Sequence, residues 1–93
     1  MIKKKYKFTD ETIKIYGITL YRIRALKDFG DVKKGDLGGW IESERNLSYD
    51  DNCWVGGEAW VYENAEVYNN AKVGANAIVA GKTAFYGSDA ILR

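Results

Sequence analysis

The 93-residue chain predicts an all-β fold: a parallel solenoid of short strands entered through an N-terminal β-hairpin or meander. Three observations carry this reading. From residue 52 onward the chain repeats every six residues, as NCWVGG, EAWVYE, NAEVYN, NAKVGA, NAIVAG, KTAFYG and SDAILR. Within each block a small residue at the second place (Cys53, Ala59, Ala65, Ala71, Ala77, Thr83, Asp89) precedes a bulkier apolar one at the fourth (Val55, Val61, Val67, Val73, Val79, Phe85, Ile91). The junctions Asp51-Asn52, Gly57-Glu58, Glu63-Asn64, Asn69-Asn70, Ala75-Asn76, Gly81-Lys82 and Gly87-Ser88 mostly hold Gly or Asn, which tolerate a left-handed backbone.

A strand alternates its side chains, so two inward places in every six imply short strands broken by corners. Three six-residue edges close a triangular coil of 18 residues, giving about three coils stacked at roughly 4.8 Å. An offset of 18 places Val55, Val73 and Ile91 in one inner column, Val61 and Val79 in a second, and Val67 and Phe85 in a third. Alanines are needed because three side chains meet near one narrow axis. The phase extends backward irregularly, with Ile41 and Ser43 at the second and fourth places of WIESER, and Leu47 and Tyr49 at those of NLSYDD.

Upstream, Ile18–Leu26 alternates as a strand, with Ile18, Leu20, Arg22, Arg24 and Leu26 on one face and Thr19, Tyr21, Ile23 and Ala25 on the other. Thr12–Tyr16 reads as its hairpin partner across Tyr16-Gly17. Tyr6 and Phe8 suggest a third strand, with Thr9-Asp10-Glu11 as its turn. The segment KDFGDVKKGDLGG reads as a chain of turns. No proline or linker divides the chain, so residues 1–93 form one domain, with a β cap over 1–39 and a repeat body over 40–93.

The repeat and its cap resemble known proteins. The step from an aliphatic residue to a small one four places on (Val55 to Ala59, Val61 to Ala65, Val67 to Ala71, Val73 to Ala77) is similar to the hexapeptide repeat of left-handed parallel β-helices. The upstream YRIRALKDFGDVKKGDLGGWIE, followed by NLS and NCWV, resembles a narrower group of bacterial and phage hexapeptide-repeat proteins with tandem NAxVY units. The resemblance implies a left-handed coil and self-association, most commonly as a trimer, and carries over no activity. Acyltransferases of the hexapeptide class typically use a histidine base, and the carbonic anhydrase form of the fold needs three histidines on zinc. This chain has no histidine and one cysteine, so neither chemistry is expected, and no cofactor or metal is expected.

Composition narrows the remaining roles. Residues 1–34 carry ten Lys/Arg and four Asp/Glu (+6), and residues 35–93 carry four and nine (−5), so a basic cap precedes an acidic body. No apolar run reaches the roughly 18 residues of a membrane span, the basic start lacks the apolar core of a signal peptide, and the single Cys53 suits a reducing cytoplasm. Cys53 occupies a small-residue slot and reads as a packed thiol.

Function is therefore sought on the outer faces. The face bearing Trp60, Tyr62, Ile78 and Ala80 is almost wholly apolar and is expected to be the oligomer interface, unless the hairpin folds back over it. Outer aromatics Trp54, Tyr68 and Tyr86, with Arg22, Arg24 and Lys72, are candidates for stacking and phosphate contact with a nucleotide-type ligand; long nucleic acid is not expected. The expectation is a non-enzymatic, self-associating binding protein of the host-cell cytoplasm, phage-encoded. In its sharpest form it is a counter-defence protein holding a nucleotide signal between protomers, or one that binds a host protein. The alternatives are a self-assembling scaffold and an acyltransferase-type fold that has lost its chemistry.

Overall fold

A computed structural model describes residues 4–81, 85–86 and 90–91, and among these the chain is all-β apart from one 3-10 turn at Glu44–Asn46. β1 (Tyr6–Ile15) and β2 (Ile18–Ala25) form an antiparallel hairpin. The two-residue turn Tyr16-Gly17 closes it, with both residues at positive φ (48° and 79°). Two successive left-handed residues supply the twist that a tight hairpin requires. The expected turn at Thr9-Asp10-Glu11 is not a reversal. β1 runs through it, and the register shifts between Phe8 and Thr12 as a bulge, closed locally by the Glu11 amide donating to Thr9 Oγ1 at 3.2 Å.

The turn-rich segment holds as far as Asp36, with Phe29 and Val32 bridged around Gly30. It then gives way to β3 (Leu37–Ile41), where antiparallel and parallel pairing meet. On one side β3 pairs antiparallel with β2. On the other it pairs in parallel with β5 (Trp60–Val61), which pairs in turn with β8 (Ile78–Val79). The result is one mixed five-stranded sheet in the order β1-β2-β3-β5-β8. β4 (Trp54–Val55), β7 (Lys72–Val73) and β10 (Ala90–Ile91) form a second, parallel sheet, and β6 (Glu66–Val67) and β9 (Phe85–Tyr86) a third.

The six-residue corners fall where the sequence places them. Asp51, Gly57, Glu63, Asn69, Ala75 and Gly81 all have positive φ, one in each block. The corners also stack: a Cβ on Gly57 would lie 2.9 Å from the Ala75 backbone nitrogen. Val55 pairs with Val73, Val73 with Ile91, and Val61 with Val79, at the expected offset of 18. The third column departs from expectation, since Val67 pairs with Tyr86 rather than Phe85. Gly81 turns its corner at φ 108°, against 52–59° at the other five, and the following strand enters one residue late.

The backward extension of the phase also needs correction. Ile41 pairs with Val61 and Leu47 with Val67, both at an offset of 20, so these residues take the fourth place rather than the second. Gly39 then fills the small place, where a Cβ would lie 2.7 Å from the Ala59 carbonyl oxygen. Asn46 accommodates the slip. It is fully buried, its Nδ2 donates to the Glu63 and Ala65 carbonyls (3.2 and 2.8 Å), and its Oδ1 accepts from the Glu42 and Ser43 amides (3.1 and 2.9 Å). The side chain thus serves backbone groups that a regular strand would pair.

Cys53, Ala59, Ala65, Ala71 and Ala77 line the core with the inner valines, none more than 3% exposed. Tyr6, Ile23 and Ala25 of the hairpin join this core, while Leu20, from the opposite face of β2, packs with Trp40 and Tyr62 in a second cluster. β2 is therefore covered on both sides. Ala65→Leu is expected to lower stability by about 1–3 kcal/mol through overpacking, read as a shift in the urea midpoint at unchanged m-value.

Candidate functional site

Where the hairpin crosses the stack, β1 and the corner residues frame a groove of about 360 Å³ lined by Ile13, Trp40, Glu58, Trp60, Asn76 and Ile78. Parallel pairing sets Trp40, Trp60 and Ile78 in line across β3, β5 and β8. Ile78 is 60% exposed, Trp60 half-buried and Trp40 buried. Four apolar side chains thus meet two polar ones, Glu58 and Asn76, which occupy the corners ahead of β5 and β8.

Glu58 is fixed in direction. Its Oε1 accepts from Trp40 Nε1 at 3.1 Å and its Oε2 from Arg22 Nη2 at 2.9 Å. The Arg22 hydrogen bond, then that of Trp40, hold the Glu58 carboxyl below its usual range. Arg22 is itself anchored: Nε donates to the Gly38 carbonyl at 3.0 Å, and the guanidinium lies 4.8 Å over the Trp40 ring. A carboxylate has lone pairs to spare after two such bonds, so Glu58 can accept a further donor from the groove.

Of the residues singled out from sequence, Trp60 and Ile78 meet in this groove, and Arg22 stands behind it. Tyr62 and Ala80 lie beside it under the hairpin, Tyr62 only 8% exposed in the cluster with Leu20 and Trp40 and its phenol shifted upward by burial. The hairpin therefore covers part of the apolar face and leaves Trp60 and Ile78 accessible. Trp54 is a packing residue. It is 8% exposed and meets Phe29 edge-on at 5.3 Å, because the turns between β2 and β3 close over it. Lys72 is paired with Asp31 at 2.7 Å, and this bond holds the Asp31 carboxyl below its usual range. Arg24 is exposed in a separate shallow cleft with Lys7 and Phe8, and Tyr68 is exposed at the corner after β6. The Tyr86 side chain lies outside the described residues. The aromatic and basic candidates are thus dispersed, and the two best-placed basic ones each hold a carboxylate of the chain.

Ile13, Trp40, Glu58 and Asn76 were not anticipated. Gly39-x-Ile41 repeats the small-then-aliphatic spacing two residues out of phase, and reading it so would have stacked Trp40 on Trp60. Sequence reading also missed Lys5. Its side chain is fully buried, with Nζ donating to the carbonyls of Cys53 (2.9 Å), Asp50 and Asp51 (both 3.2 Å), 3.4 Å from Cys53 Sγ and 4.8 Å over the Phe29 ring. Burial lowers the Lys5 pKa and raises that of the Cys53 thiol. The pair joins cap to stack in the interior, away from the groove. Among the described residues no group of three His, Cys, Asp or Glu is placed to hold a metal, and no helix is long and apolar enough to cross a membrane.

No protein-family model matches the chain. Over 38 residues it is 45% identical to an uncharacterized acetyltransferase, YdcK, of Escherichia coli strain K12. That stretch is 41% of this chain, and it spans 12% of the length of the acetyltransferase.

Lys5→Met keeps the apolar stem and removes the ammonium. Stability is expected to fall by about 1–3 kcal/mol as the carbonyls of residues 50, 51 and 53 lose their donor, measured by urea unfolding.

Proposed function

We propose that this chain is a left-handed parallel β-helix acting as a non-enzymatic, self-associating binding protein, with the Trp60/Ile78 groove at its protomer boundary. The observation that carries the reading is Ile78. This large aliphatic side chain is 60% exposed, next to a half-buried tryptophan and in a groove whose other apolar walls are Ile13 and Trp40. Apolar side chains left in such a cluster gain by being covered, and a second protomer is the simplest cover. The left hand is supported by the NAxVY repeat and by the single positive-φ residue at each corner.

The nucleotide-capturing form has less support than self-association. Arg22 and Lys72 are each engaged with a carboxylate, and Trp54 is buried beneath Phe29. A second reading, an acyltransferase-type fold without its chemistry, is favoured by the 38-residue likeness to an acetyltransferase together with the lack of histidine. It is compatible with the first, since such a fold can retain an oligomer interface after losing its base.

The wild-type protein is expected to sediment as a closed oligomer, a trimer by the resemblance. Ile78→Glu is expected to weaken association at least tenfold without changing the circular dichroism spectrum, since the side chain is exposed within the protomer. A wild-type monomer at high concentration would overturn the reading.

A further inference from the structure

The hairpin tip is built against the preference of its own turn. A two-residue loop with both residues left-handed favours Asn or Asp before Gly. Here the first position is Tyr16 at φ 48°, a left-handed conformation that is disfavoured for a residue with a bulky side chain. Burial within the protomer does not offset this, because Tyr16 is 85% exposed, the most exposed of the large apolar side chains in the described residues. The fold thus places an aromatic where it prefers a small polar residue, and leaves its ring in water.

The groove takes one of its walls from the same hairpin. Ile13, one of its walls, precedes Tyr16 by three residues, about 10 Å along a strand. The groove needs an occupant with a flat apolar body, to lie against Trp60, Ile78 and Ile13, and a hydrogen-bond donor for the fixed Glu58 carboxylate. At about 360 Å³ it suits one aromatic side chain, near the lower end of the range for small-ligand pockets. A phenol meets each requirement: its ring supplies the apolar area and its O–H donates to an ionised carboxylate.

We propose that Tyr16 of one copy of this chain inserts into the Ile13/Trp60/Ile78 groove of a second copy, with its hydroxyl donating to Glu58. This rests on the self-association reading above and names the contact that drives it. Knob and groove belong to the same chain, so every protomer both gives and receives; the contact builds a symmetric pair or a ring where its rotation closes and a filament where it does not. Asn76 and Glu58 form the polar rim, and Arg22, behind Glu58, keeps the carboxylate ionised and aimed.

The test uses the full-length chain and two variants that disable opposite halves of the contact. Tyr16→Asn restores the preferred turn residue, so thermal stability is expected to hold or rise while self-association falls at least tenfold by analytical ultracentrifugation. Ile78→Glu blocks the groove and is expected to be equally defective alone. Mixed, the two are expected to form a one-to-one heteromer, since the first retains its groove and the second its knob. Tyr16→Phe keeps the ring, and association is expected to weaken roughly tenfold through loss of the bond to Glu58. Wild-type-like association of Tyr16→Asn would overturn the inference while leaving self-association intact, and so would a mixture that stays monomeric. A monomeric wild type would overturn both.

Discussion

The structure depends on the close approach of β3 to the first full winding of the repeat. A Cβ on Gly38 would fall 2.6 Å from the Val55 carbonyl oxygen, and one on Gly39 2.7 Å from that of Ala59. Only bare backbone fits there. Because it does, one strand offers an antiparallel edge to the hairpin and a parallel edge to the repeat. Antiparallel and parallel patterns of hydrogen bonding are thereby joined in one mixed sheet, and the hairpin is carried across the apolar face of the stack. The groove is a consequence: it forms where the hairpin stops short of covering that face completely.

The junction also explains which polar groups are buried. A two-residue slip between the first winding and the regular repeat leaves backbone groups out of step, and the structure meets them with side chains. Asn46 serves four of them, Lys5 three carbonyls, and the Tyr6 hydroxyl donates to the Leu47 carbonyl at 2.6 Å. Desolvation that would otherwise penalise the seam is matched by geometry-specific bonds, which favour one register over its neighbours. Charge follows the same division, since the basic cap contributes Arg22 to Glu58 and Lys4 to Glu44 on the acidic body.

Much of the repeat was legible because its rules are local. Alternation fixes which residues face inward, and steric tolerance of positive φ fixes the corners. Both survive reading a single block at a time, as Val61 over Val79 and the corners at Asn69 and Gly57 illustrate. The β1 bulge and the late entry of β9 were not legible, because each is decided by a partner distant in sequence, and the slipped phase of Ile41 and Leu47 left its one local signal in the Gly39-x-Ile41 spacing. The groove was half legible for the same reason. Trp60 and Ile78 are 18 apart and obey the period, whereas Trp40 joins them only through the slip, and Ile13 only through the path of the hairpin. Trp54 was misplaced because no periodicity announces that a turn-rich segment will lie over it.

The buried Lys5 has a kinetic corollary. Stacked repeats are bound chiefly to nearest neighbours, so a stack of short parallel strands with two equivalent ends can fray from either. Here one end is fastened by an ammonium group that reaches across as many as 48 positions of sequence into the carbonyls of residues 50, 51 and 53. Withdrawing it would orphan three buried acceptors together, so that end is expected to open as one unit. Amide exchange should therefore be polarised along the stack, with protection greatest in the winding beside the cap and declining toward β7 and β8.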